Sequence, residues 1–266
     1  MVKKCTTFDL KLIACISMFI DHFGAIFMFD WIEFAFNSDT SSFLLDLVRN
    51  HQNLMIELYN MFRIIGRIAF PIYSFLIVQG FMHTKNVGNY ILRLFIFAFV
   101  SEFAFDIGFN HTIFEIYSNN VFFTLGLGLL CILFISRIER IYDVFKDKMN
   151  KTRLNISCLL LLIAFLIIAY VLADEVFRSD YGISGVLCIV CMYMFRNNII
   201  IGYSLGVLCT AIFNYNLVQI YALFGLILIM MYNGEKGKSM KYFFYVYYPL
   251  HILLITGLSV LFGFRG

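Results

Sequence analysis

Asp21 and His22 stand side by side in Met18-Phe-Ile-Asp-His-Phe-Gly24, inside an apolar run from Leu10 to Phe29. An acid at the centre of a membrane helix costs roughly 2.5–3.5 kcal/mol on insertion scales, so an ionisable pair kept there reads by default as functional. The alternative is a pair that only ties helices together by hydrogen bonds. A histidine in this setting can act as a general base, taking the proton of an attacking amine or hydroxyl. Neighbours on a helix diverge by about 100°, so Asp21 is not expected to serve His22 directly. Its expected partners are Arg63 and Arg67, which are four residues apart and share one helix face. Two cations on one face want an anion, whether Asp21, Asp106, or a substrate carboxylate or phosphate.

Further polar residues interrupt other apolar segments. Glu102 sits near the middle of its segment, as a proton relay, a histidine partner or a helix-packing hydrogen bond. His251 follows Tyr247-Tyr248-Pro249-Leu250, where the proline frees a carbonyl and predicts a kink. It is a second candidate base or a structural histidine. Asp106, Asn120 and Asp180, with Thr124 and Gln219, mark the same ends of their segments as His22 and predict a shared outward-facing polar cavity. Hydrolase, ATPase and metalloprotease chemistry are set aside: no serine-nucleophile elbow is recognised, and the chain carries no Walker loop, no His-Glu-x-x-His and no dinucleotide fingerprint. The seven cysteines fall mostly in apolar runs, Cys188-Ile-Val-Cys191 included, and read as small buried hydrophobes with no metal site.

The elements that must hold these residues are helices in a bilayer. The chain is 61% hydrophobic and 14% charged, with a mean hydropathy of +0.84. That composition predicts an all-α, polytopic integral membrane protein. Apolar segments near 10–29, 61–82, 90–109, 120–136, 154–173, 181–195, 199–215, 217–232 and 242–262 predict about nine transmembrane helices. Lys3 and Lys4 precede the first without a cleavage site, so it reads as an uncleaved span. Residues 42–48 and 54–62 have the pattern of amphipathic surface helices. No linker or composition break divides the chain, which reads as a single transmembrane domain over 1–266. Lysine and arginine accumulate on alternate connections. This predicts a cytoplasmic N-terminus, an odd number of spans and a multi-pass protein of the plasma or inner membrane. The bilayer accounts for the basic residues, and no nucleic-acid partner is expected.

Several motifs resemble the TraX family, membrane proteins named for acetylation of the conjugative F-type pilin subunit. They include Leu10-Lys-Leu-Ile-Ala14 with Ile16-Ser-Met-Phe-Ile-Asp-His-Phe-Gly24, and Gly66-Arg-Ile-Ala-Phe-Pro71 running to Gln79-Gly80-Phe81. Arg93-Leu-Phe-Ile-Phe-Ala98, Ser101-Glu102, Phe105-Asp106 and Asn120-Val-Phe-Phe-Thr124 follow in order. Asp180-Tyr-Gly182, Tyr232-Asn-Gly234 and Tyr242-Phe-Phe-Tyr-Val-Tyr-Tyr-Pro-Leu-His251 complete the set. Gln79 occupies a position that is often acidic in the family pattern. The resemblance implies an acetyltransferase related to the acyltransferase-3 type of membrane enzymes, with acetyl-CoA as cytoplasmic donor substrate and no metal. Carried over, it makes His22 the catalytic histidine. Asp21 is the second catalytic candidate, and with Arg67, Asp106, Asn120, Asp180 and His251 a candidate for the surrounding polar shell, to which the reading of the residues adds Arg63 and Glu102. Lys11, Arg93, Lys236, Lys238 and Lys241 are candidates for the phosphates of coenzyme A, or simply follow the positive-inside pattern. The implied acceptor is a peptide N-terminal amine, as in a pilin, or a cell-surface glycan. A proton-coupled transporter using the same intramembrane acids and histidines, and an assembly factor without chemistry, are the competing readings.

Overall fold

The computed structural model describes residues 4–265; Lys3 and the Lys241 side chain lie outside the described set. Among the described residues the chain is helical, with two isolated bridges and no strand. Helix α1 (Thr7–His22) begins at a capping box in which Thr6 and Asp9 satisfy each other's backbone N–H groups. A π-helical turn over Phe23–Met28 comes directly after His22 and leads into α2 (Phe29–Asn37). The rod from Thr7 to Asn37 is therefore 31 residues long. Helices α3 (Phe43–Asn50) and α4 (Gln52–Gly66) form where the amphipathic pattern predicts them. After a short break comes α5 (Ala69–His83), with Pro71 in its first turn, where a missing N–H costs nothing. Helix α6 (Val87–Phe105) ends in a second π-helical turn, Asp106–Asn110. Next come α7 (Val121–Phe145) and α8 (Lys151–Tyr170), the latter extended by a third such turn, Val171–Val176. Helices α9 (Gly182–Met194), α10 (Ile199–Phe213), α11 (Gly225–Met230, entered through a 3-10 turn) and α12 (Lys241–Leu261) complete the chain.

Five stretches are long and apolar enough to cross a membrane among the described residues: Thr7–Asn37, Gln52–His83, Val121–Phe145, Lys151–Val176 and Tyr242–Leu261. Gly182–Met194, Ile199–Phe213 and Leu217–Met230 are apolar but shorter. At 1.5 Å per residue, 13 to 15 helical residues reach only about 20–23 Å, below the roughly 30 Å of a hydrocarbon core. The segment expected near 90–109 is helical as α6 but is not among the five. The proline of α12 lies inside a continuous helix.

The chain forms two compact units. The first comprises Met1–Tyr73, Val100–Glu115 and Val218–Gly266. In it α12 runs parallel to α1 and its continuation. Lys11 lies over the Phe244 ring, Tyr247 Oη donates to the Cys15 carbonyl, His22 meets His251, and Ser259 donates to Asp30, in ascending order on both helices. Helix α4 runs antiparallel on another face of α1. A Cβ added to Gly66 would lie 2.2 Å from Asp21 Cβ, and one added to Gly24 would lie 3.0 Å from Phe62 Cβ. Only glycines permit that approach. Ser17 Oγ also donates to the Ile65 carbonyl at 2.7 Å. Beyond α2, an apolar cluster of Ala35, Leu45, Val48, Met55 and Phe264 buries the inner faces of α3 and α4.

The second unit comprises Ser74–Phe99 and Ile116–Leu217. Glycines again set its helix approaches: a Cβ at Gly128 would meet Ile189 at 2.3 Å, and one at Gly206 would meet the Cys188 carbonyl at 3.0 Å.

Candidate functional site

The site is built on three helices of the first unit. On α1, Asp21 and His22 point in different directions, as successive helical residues must. Asp21 turns to α4. Its Oδ1 takes Arg63 Nη1 at 2.9 Å and Arg67 Nη2 at 3.0 Å. Arg67 Nε also donates to the Arg63 carbonyl at 2.9 Å, which fixes the guanidinium plane. The ion pairing expected from the sequence is present on both arginines. Side chains of Asp21 and Arg67 are 14% and 10% exposed, so this is a low-dielectric cluster in which each charge needs its partner.

His22 turns to α12. Its Nδ1 lies 2.7 Å from His251 Nε2, with the two rings 14° apart in plane. His251 Nδ1 lies 2.7 Å from the Tyr247 carbonyl, one turn back on the same helix. A carbonyl only accepts, so His251 Nδ1 carries the hydrogen. In a neutral His251 the Nε2 is then an acceptor, and His22 Nδ1 must be the donor. The lone pair of a neutral His22 is thereby placed on Nε2. Backbone carbonyl, His251 and His22 form a relay that selects one tautomer of His22. Phe109 packs edge-on against His22 at 5.1 Å between centroids and Tyr248 does so at 5.9 Å. His22 itself is half-buried, whereas His251 is 2% exposed. His251 is thus the more buried and doubly bonded member of the pair, and His22 the less buried one.

The remaining expected residues divide. Asp106, fully buried, accepts Asn110 Nδ2 at 3.0 Å and the Glu115 N–H at 2.9 Å, so it organises the 106–115 segment that presents Phe109. Glu102 is half-buried in the same unit. Asn120 and Asp180 belong to the second unit. Asn120 caps α7 through the Phe122 N–H at 3.0 Å and donates to the Ala98 carbonyl at 2.8 Å. Asp180 is exposed and joins Asn119 by its backbone N–H at 2.8 Å. These two satisfy local backbone in a separate unit from His22. Lys236 and Lys238 are exposed on the segment that clasps the start of α1 through the Thr7 N–H to the Glu235 carbonyl at 2.8 Å. Lys11 is about one turn into that helix, and α12 begins with Lys241. Arg93 lies apart in the second unit, with its guanidinium over the Tyr90 ring at 5.8 Å. Gln79, also in the second unit, lines a small cavity with Arg196 and Tyr203.

Two features escaped the sequence. Asp30 is 3% exposed; it accepts Ser259 Oγ at 2.6 Å and lies 3.7 Å from both Arg265 and His111. The signal available was its spacing: Asp30 is nine residues beyond Asp21 on one uninterrupted helical rod, past the point where the apolar run was taken to end. Gly202-Tyr-Ser-Leu-Gly206 has the spacing of a serine-hydrolase elbow. It lies within α10, with no strand among the described residues to make the sharp turn that such a nucleophile needs. Among the described residues no group of three His, Cys, Asp or Glu side chains could hold a metal ion.

Fold and site define an all-helical membrane protein with an oriented imidazole pair inside one bundle. The family model described as TraX protein matches residues 8–259, and the chain belongs to the TraX family. A curated relative, "Probable fimbrial assembly protein FimC, serogroup H1" of Dichelobacter nodosus, is 26% identical over 278 residues, covering 94% of each chain. No solved structure matches at a significant level.

Proposed function

We propose that this protein is a membrane-embedded acetyltransferase in which His22 is the general base, modifying a peptide amine or a cell-surface sugar from acetyl-CoA. The observation that carries the reading is the relay from the Tyr247 carbonyl through His251 to His22, which leaves His22 Nε2 as the basic atom. In the reaction, Nε2 takes the proton of the acceptor amine as its nitrogen attacks the thioester carbonyl. Collapse of the tetrahedral adduct breaks the C–S bond, and the proton departs with the thiolate as coenzyme A thiol. His251 accepts the Nδ1–H of His22 throughout and so supports the transient imidazolium. The Asp21–Arg63–Arg67 cluster braces α4 against the helix that carries His22.

Lys11, Lys236 and Lys238 gather where α1 and α12 begin, and suit the phosphates of coenzyme A. Lys11 is eleven residues before His22, about 16 Å of helix rise, a distance an extended pantetheine arm can cover. The parallel course of α1 and α12 supports an odd number of crossings. With the positive-inside pattern, it supports a cytoplasmic N-terminus in a multi-pass inner-membrane protein. The name of the Dichelobacter relative makes a fimbrial or pilin-like chain the first acceptor to try.

The test is transfer of labelled acetyl from acetyl-CoA by the purified protein in proteoliposomes, with peptide and sugar acceptors side by side. His22→Ala is expected to lower transfer at least a hundredfold while the protein stays folded. Full transfer by that variant would remove His22 from the mechanism. A proton-coupled transporter is the second reading, favoured by the titratable groups strung along the α1–α12 seam from Tyr247 to Asp30. Proton flux without acetyl-CoA binding would select it.

A further inference from the structure

The geometry points to a binding site for a phospholipid phosphate at the C-terminal end of α12, formed by Arg265 and Trp31. Arg265 is 7% exposed in its side chain. Its Nη1 donates to the Gly108 carbonyl at 3.0 Å and lies 3.7 Å from Asp30 Oδ2. Its Nη2 is buried and has no hydrogen-bond partner among the described residues, and neither has the buried Nε1 of Trp31. Trp31 is one ring of an aromatic stack, and Arg265 directly follows another of its rings in the chain: Trp31 lies on Phe264 at 5.7 Å and 12°, and Phe264 on Phe262 at 5.8 Å and 20°. Buried donors left without acceptors are rare in native proteins, and each calls for an acceptor.

The donors dictate the chemistry of that group. Both offer hydrogen and neither accepts, so the ligand supplies oxygen. One is the free edge of a guanidinium, which suits a phosphate oxygen better than a neutral carbonyl. Asp30 does not occupy that edge. Its Oδ2 takes Ser259 and faces Nη1, and its Oδ1 faces the half-exposed His111. The apolar half of the ligand is indicated by Leu261 and Phe262, which are 79% and 51% exposed beside the stack, at the end of a span. Tryptophan and arginine at the end of a span, bordered by open apolar surface, are the surroundings of a phospholipid head group. This site is independent of the acetyl-transfer reading, since it uses neither histidine of the relay.

Trp31 is the one tryptophan of the chain, so intrinsic fluorescence reports on this place alone. The full chain, purified in an uncharged maltoside, is titrated with dihexanoyl-phosphatidylglycerol, with dihexanoylglycerol and with inorganic phosphate. The phospholipid is expected to give a saturable spectral shift that dihexanoylglycerol does not. In Arg265→Ala the midpoint should move at least tenfold upward. In Arg265→Lys, which keeps the charge and the Asp30 pairing but loses the second donor edge, it should move severalfold. Should Arg265→Ala fail to purify as a single species, Arg265→Lys decides. An equal shift with inorganic phosphate alone would overturn the lipid as occupant in favour of a free anion. An equal shift with dihexanoylglycerol, a midpoint untouched by either substitution, or no shift at all would overturn the site.

Discussion

The two units weight their polar residues differently. In the second, beside side-chain pairs such as Glu139–Arg196 and Thr124–Ser179, several polar side chains answer to nearby backbone. Asn120 caps α7 and holds the Ala98 carbonyl, Asp174 accepts the Ile183 N–H at 3.2 Å, and Thr210 donates to the Val207 carbonyl at 2.7 Å. In the first, charged and titratable side chains answer to one another across helices: Asp21 to two arginines, His22 to His251, Asp30 to Ser259 and Arg265. Both arrangements hide polar groups from hydrocarbon. Backbone capping leaves nothing titratable to change state. Pairing between side chains creates groups whose protonation or occupancy can change while the helices stay put. The partner, and not the residue type, separates stabilising polarity from reactive polarity in these bundles.

The comparison breaks most visibly at Asp21. Asp21→Ala leaves the buried Arg67 guanidinium and the partly exposed Arg63 without their carboxylate and should cost about 3 kcal/mol, read as a loss of thermal stability in detergent. Gly66→Ala forces a methyl group into Asp21 and should cost about 1–3 kcal/mol by overpacking at the same contact. A matched loss in the second unit comes from Asn120→Ala, about 2 kcal/mol for the cap and the orphaned carbonyl. The survivors of that substitution should keep wild-type activity per folded molecule. The smallest effect is Glu139→Gln. Glu139 holds Arg196 at 3.1 Å and accepts Tyr193 Oη at 2.9 Å, but its side chain is 38% exposed, so about 0.5 kcal/mol is expected, shrinking further in salt. An Asn120→Ala protein that folds fully yet loses all acetyl transfer would undo the division between the units.

What the sequence made legible was local or charge-driven. Two arginines one turn apart in an apolar helix demand an acid, and Asp21 supplied it. Amphipathic spacing located α3 and α4. Histidines inside apolar runs were conspicuous one at a time. Their contact was not, because nothing in periodicity connects residues 229 positions apart. Asp106, Asn120 and Asp180 were grouped by depth along their helices; Asp106 belongs to the unit of His22, and Asn120 and Asp180, like Arg93, to the second, a division that depth does not carry. Asp30 was hidden by a rule of length: a span was ended after 20 apolar residues, while the helix continued through a π-helical turn to Asn37. Such turns insert a residue into the helical count and rotate the helix beyond them, so α-helical spacing loses its phase after His22.

The parallel seam between α1 and α12 also sets an order of events during synthesis. Of its two sides, α1 leaves the ribosome long before α12. His22 enters the bilayer early and waits, while the chain lengthens by 229 positions, for the histidine that will choose its tautomer. Until α12 arrives, the protein holds an intramembrane imidazole with no assigned proton. The histidine pair is therefore complete only once α12 has been laid down, and a nascent chain stalled before it lacks the contact that sets the His22 tautomer.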